Sequence, residues 1–67
     1  MLGKRVRDAR ELKRLTRDEL ARLSGVTQSS IYSYETGKRT PSADVIFSLA
    51  KALDVSADYL VGLSRDK

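Results

Sequence analysis

Gln28 carries the only side-chain carboxamide in this 67-residue chain: there is no other Gln and no Asn. It opens the segment Gln28-Ser29-Ser30-Ile31-Tyr32-Ser33-Tyr34-Glu35, in which most other side chains bear hydroxyls. A carboxamide donates and accepts side by side, the pairing that matches N6 and N7 on the adenine edge in the DNA major groove. Helical spacing sets Ile31 and Tyr34 on one side and Gln28, Ser29, Tyr32 and Ser33 on the other. A solvated helix face is usually built from Glu and Lys. This one has neither, which suggests that it meets something other than water.

Composition removes most other chemistry. With no Cys and no His, the usual zinc sites, disulfides and histidine general bases are absent. No paired carboxylates converge, and so short a chain has little room for a pocket. No enzyme activity, metal, cofactor or small-molecule ligand is expected. Lys4, Arg5 and Arg7 follow Met1 without an apolar run behind them, which argues against a signal peptide or membrane span and for a cytoplasmic protein. The net charge of +4 is uneven. Ten Lys/Arg stand against five Asp/Glu up to Pro41, and three against four from Ser42 onward. A basic N-terminal portion fits a surface facing a polyanion. On charge alone, a merely solubilising role remains open.

The elements that must position Gln28 follow from apolar spacing and capping residues. Leu2, Val6 and Ala9, extended by Leu12 and Leu15, predict an amphipathic helix from about Leu2 to Lys13. Arg14 stands where its exit would favour Gly or Asn, so that exit is either strained or closed in another way. Thr16-Arg17-Asp18-Glu19 is a capping box opening a second helix to Leu23 or Ser24, with Leu20, Ala21 and Leu23 inward. Gly25 stops it, Val26 plugs the turn, and Thr27 caps a third helix that ends near Glu35 before Gly37. Lys38-Arg39-Thr40-Pro41 form a basic loop. Ser42 caps a fourth helix with Val45, Ile46, Leu49, Ala50 and Leu53 inward, and Ser56 a fifth carrying Tyr59, Leu60 and Val61. Gly62 closes it, and Ser64–Lys67 are expected to fray. With no strand pattern, the expectation is an all-α, compact five-helix bundle forming one domain over residues 1–67.

These residues resemble the lambda-repressor-like, Cro/C1-type (XRE) helix-turn-helix family over nearly the whole chain, Leu2 to Gly62. The matching positions are Thr16, Glu19-Leu20-Ala21, Gly25-Val26-Thr27, Ile31, Glu35, Gly37-Lys38 and Pro41, then Leu49–Leu53 and Val55-Ser56. The motif itself spans about 16–36. Small Ala21 suits the closest approach of the two helices, Gly25 makes the sharp turn, and Val26 and Ile31 pin the second helix to the first.

The resemblance implies that the helix opened by Thr27 lies in the major groove, with Gln28 and Ser29 as first base readers and Tyr32 and Ser33 one turn on. Phosphates would be held at the N-terminus of the preceding helix by Thr16 and Arg17, and on the other flank by Thr27, Lys38, Arg39 and Thr40. Arg17 stands where the family often has Gln, exchanging a neutral, oriented contact for a longer charged one. The resemblance also implies an ion pair between Arg10 and Glu35 with a structural role. The partner it implies is double-stranded DNA bound by a homodimer, at least on the DNA, at a palindromic operator, in a regulator that acts as a repressor. Val61, Leu63 and an exposed side of Tyr59 are candidate dimer contacts. The alternative is a protein-interaction subunit of the same fold, antitoxin-like or bridging. Such a helix should show Leu, Met or aromatic anchors, and here only Tyr32 qualifies.

Overall fold

The computed structural model describes residues 2–63; Met1 and the expected frayed end at 64–67 lie outside them. Five helices follow in order: α1 (Leu2–Leu12), α2 (Arg17–Ser24), α3 (Gln28–Glu35), α4 (Ala43–Leu53) and α5 (Ala57–Val61). There is no strand among the described residues. α1 packs across α3, α4 and α5, while α2 lies against α3 and α4. Every helix therefore contributes to one core. Val6, Leu20, Ile31, Leu49, Leu53 and Leu60 are its fully enclosed large side chains, one or two from each element. Burial of each is worth about 1.5–3 kcal/mol. α5, five residues long, is too short to persist alone. It is held by Tyr59 and Leu60 in the core and by Arg5, whose Nη1 donates to the Tyr59 carbonyl at 3.0 Å.

The caps decide where the helices point. Thr16 Oγ1 accepts from the Glu19 N–H at 3.0 Å, and Glu19 Oε1 accepts from the Thr16 N–H at 2.8 Å. That return bond holds the Glu19 carboxyl below its ordinary pKa. Gly25 takes φ +75°, open to a residue without Cβ, and its N–H caps the Ala21 carbonyl. Ser24 secures the same turn by donating to the Leu20 carbonyl at 2.7 Å and accepting from the Val26 N–H at 3.2 Å. Thr27, Ser42 and Ser56 cap α3, α4 and α5 in the same manner as Thr16.

Two apolar expectations are corrected. Leu23, read as inward, is 62% exposed, and Leu12 projects into solvent from the last residue of α1. α2 is only eight residues long, and its buried stripe is used up by Leu20 with Ala21 beside it. Leu12 lies off the face of α1 that Val6, Ala9 and Arg10 bury, and Leu15, beyond the turn at Arg14, packs against the core instead.

The exit of α1 is closed by Arg14 itself at φ +58°, a left-handed residue other than glycine. The Arg14 N–H bonds to the Glu11 carbonyl at 2.9 Å and the Leu15 N–H to the Arg10 carbonyl at 3.0 Å, the paired closure that usually falls to Gly. A Cβ in this conformation costs roughly 1–2 kcal/mol, part of which the greater unfolded freedom of Gly would offset. Arg14→Gly is therefore expected to stabilise the protein by about 1 kcal/mol, raising Tm by roughly 4–8 °C in thermal melts. A lower Tm would mean that the Arg14 side chain contributes more than its backbone costs.

Gly3 marks the tightest approach between elements. A Cβ built there would overlap the carbonyl oxygens of Tyr34 and Glu35, so α1 lies directly on the C-terminal end of α3.

Candidate nucleic-acid interface

α3 is held from behind and from both ends. Ile31 and Tyr34 anchor its inner side in the core. At its start, Thr27 Oγ1 accepts from the Ser30 N–H at 3.1 Å and donates to Ser30 Oγ at 2.9 Å. At its end, Gly37 turns the chain at φ +80°, and the Lys38 N–H bonds back to the Ser33 carbonyl at 2.9 Å. What remains outward is Gln28, Ser29 and Tyr32, all exposed, with Ser33 half-buried beside them. Among the described residues the Gln28 carboxamide makes no side-chain hydrogen bond, so its donor and its acceptor are both open to a ligand.

The last residue of α3 anchors the helix to the frame. The Glu35 carboxylate is 2% exposed and accepts from Arg10 Nε at 2.7 Å and Arg10 Nη2 at 3.1 Å, a two-pronged pairing. Arg10, itself 11% exposed, also donates through Nη1 to the Leu15 carbonyl at 2.8 Å. Its hydrogen bonds to Glu35 push its pKa further above the ordinary arginine value. A third interaction was not legible from spacing: Arg17 Nε donates to Glu35 Oε1 at 3.2 Å. Glu35 is thus shared by two arginines.

Around this helix the remaining sequence-derived residues divide. Lys38, Arg39 and Thr40 are exposed in the loop after α3. Lys38 Nζ lies 5.9 Å from the Tyr32 ring centroid. Arg39 folds back instead, donating to Ser30 Oγ at 3.3 Å and covering the Tyr34 ring at 5.4 Å. Thr27 Oγ1 both accepts and donates within its cap, so a phosphate bond there falls to backbone N–H groups, whereas Thr16 Oγ1 only accepts from the Glu19 N–H and keeps its O–H for a phosphate. The first turn of α2 also carries Asp18 and Glu19, whose charges oppose an anion. Arg17 sits over Tyr32, with its guanidinium 4.8 Å from the ring centroid.

The candidate dimer contacts separate as well. Val61 and Leu63 are exposed, but Tyr59 is 7% exposed and lies in the core under Arg5, whose guanidinium is 4.8 Å from its ring. The expectation of an exposed side of Tyr59 is corrected: the helix turn that exposes Val61 rotates Tyr59 and Leu60 inward. Among the described residues no cluster of acidic, His or Cys side chains could hold a metal ion, and no helix is long and apolar enough to cross a membrane.

Two short helices joined by a tight glycine turn, the second presenting a polar face from a rigid frame, define a helix-turn-helix DNA-binding domain. Residues 6–60 match the helix-turn-helix family model, and the chain belongs to that family, in its Cro/C1 type. It is 38% identical over 66 residues to YobD of Bacillus subtilis, described as an uncharacterized HTH-type transcriptional regulator. That match covers 98% of this chain but 59% of YobD, so the chain spans about three fifths of the length of its curated relative. Among solved structures it is similar to the restriction-modification controller protein C.AhdI from Aeromonas hydrophila, with TM-score 0.85 and 39% identity over 88% of this chain and 89% of that one. It is also similar to the P22 c2 repressor, solved in complex with a synthetic operator, with TM-score 0.89 and 28% identity over 96% and 97% of the two chains.

Proposed function

We propose that this protein is a sequence-specific transcriptional regulator that binds double-stranded DNA as a homodimer at a palindromic operator and acts as a repressor. The observation that carries the reading is the exposed face of α3. Gln28, Ser29 and Tyr32 project from a helix whose other sides are fixed by the core and by Glu35. In this reading α3 enters the major groove, Gln28 pairs with an adenine edge, and Ser29, Tyr32 and Ser33 contact the bases beside it. The tip of Lys38 supplies phosphate charge on one flank, with Arg39, Thr40 and the capped N-terminus at Thr27 beside it. Thr16 and the backbone around it face the phosphates of the other flank. One such domain reads only a short half-site, so the exposed Val61 and Leu63 are assigned to the contact between two copies. Residues 1–67 act as a single domain in the cytoplasm, with no cofactor. The similarity to a repressor solved on its operator supports this reading.

Selection of binding sites from random duplex DNA tests it directly. A two-fold symmetric consensus is expected, with adenine at a fixed position in each half. Gln28→Ala should then weaken binding to that consensus by about 1–3 kcal/mol while leaving affinity for unrelated duplex nearly intact. Equal loss on both DNAs would remove Gln28 from the readers. Failure to enrich any duplex would favour a protein-interaction subunit of the same fold.

A further inference from the structure

Arg17 occupies a position from which a side chain could reach a DNA phosphate, yet its guanidinium already has two partners. Its Nε donates to Glu35 Oε1 at 3.2 Å, and its Cζ lies 4.8 Å from the centre of the Tyr32 ring. The side chain is 35% exposed, so these contacts are partly shielded from water. A planar, forked cation suits both partners at once: it stacks on an aromatic face while its N–H groups bond a carboxylate. Arg17 keeps N–H donors of its own on the Nη groups, but a phosphate that drew the guanidinium off Glu35 would uncover one side of Tyr32. Lys38 contrasts with it. Its ammonium stands 5.9 Å from the same ring on a flexible stem, and among the described residues no carboxylate pairs with it.

We infer that Arg17 is a positioning residue that fixes the orientation of the Tyr32 ring, so that Tyr32 determines specificity in the groove, and that phosphate binding is not its task. The inference rests on the DNA-reading function proposed above and deepens it. The linkage runs through atoms already described. Arg10 holds Glu35, Glu35 holds the Arg17 guanidinium, and the guanidinium holds the ring. Tyr32 is thereby restrained before it meets DNA, and a restrained ring loses less conformational freedom on binding than a mobile one. A ring fixed in one orientation also discriminates between a thymine methyl group and its absence, whereas a rotating ring accommodates either.

Two measurements decide the matter. In the free protein, nuclear magnetic resonance should show the Tyr32 side chain in one rotamer, and averaged over several in Arg17→Ala. Glu35 keeps its two-pronged bond to Arg10 in that variant, so the fold should persist, as circular dichroism would verify. On DNA, Arg17→Ala should lower affinity for the selected site about three- to tenfold, as expected for loss of a cation–aromatic contact, and affinity for unrelated duplex by less than about twofold. The slope of log affinity against log salt should change by much less than one. Arg17→Lys should fail to restore the preference, and in a Tyr32→Ala background Arg17→Ala should cost no further preference.

Equal weakening on all duplexes with a slope change of about one, rescued by Arg17→Lys, would identify a phosphate contact and overturn the inference. So would a Tyr32 ring that stays ordered without Arg17. If the wild-type protein shows no preference among duplexes, the reading of function falls instead. The ring measurement, which needs no DNA, then judges the Arg17 contact by itself.

Discussion

Glu35→Ala is expected to destabilise the protein by about 3–5 kcal/mol, because it leaves the Arg10 guanidinium buried without its carboxylate. Domains of this size are stable by only roughly 3–10 kcal/mol in total, so the variant should lose a large share of its stability. The geometry argues for the upper part of the range. Arg10 would keep only its bond to the Leu15 carbonyl, at 11% exposure, and Arg17 would lose its anion at the same stroke. The intact pair contributes little net stability, since drawing both charges out of water offsets their attraction. The damage lies in removing one partner. Urea denaturation followed by circular dichroism measures it, and a change below about 1 kcal/mol would place the pair with exposed ion pairs.

Gly3→Ala is expected to destabilise by about 3 kcal/mol, the upper end of the cost of overpacking. The added methyl group meets the carbonyl oxygens of Tyr34 and Glu35, which are backbone and cannot rotate away. α1 and α3 must separate or α3 must shift along its axis. The gain of about 1 kcal/mol in helix propensity on replacing Gly by Ala offsets only part of this. Because the displaced element is α3, affinity for the selected DNA site should fall further than stability alone accounts for. Thermal melts with binding measured well below Tm separate the two effects. A variant more stable than wild type would show that the contact has more room than its geometry indicates.

Local signals in the sequence carried most of the architecture. Thr16 with Glu19, Thr27, Ser42 and Ser56 announce helix starts because a capping oxygen must stand within three residues of the N–H it accepts. Gly25 announces a turn because only a residue without Cβ enters that conformation freely. Ile31 and Tyr34 could be assigned to the core because three residues make nearly one helical turn. What was not legible depends on contacts distant in sequence. The proximity of Gly3 to α3 involves residues 31 and 32 positions away, with no spacing rule to announce it. Leu23 looked inward by periodicity, but the pattern gives the stripe and not where the core stops. The attachment of Arg17 to Glu35 and Tyr32 was hidden for the same reason: a surface arginine near a helix N-terminus reads equally well as a phosphate contact. Tyr59 and Val61 sit two residues apart on a five-residue helix, too short for a period to separate buried from exposed.

The Glu35 carboxylate has a consequence for the behaviour of variants in bulk. Substitutions in the enclosed side chains should alter melting and leave base preference alone, while changes at Gln28 or Ser29 should do the reverse. Across a large library, folding and preference would then be nearly uncorrelated traits, free to drift separately. Glu35 is the junction at which that independence fails, because one side chain grips Arg10 on the folding side and Arg17 on the reading side. Variants that alter both traits together should therefore cluster at Arg10 and Glu35, and at Gly3 beneath the same end of α3, a small covariant group inside an otherwise separable molecule.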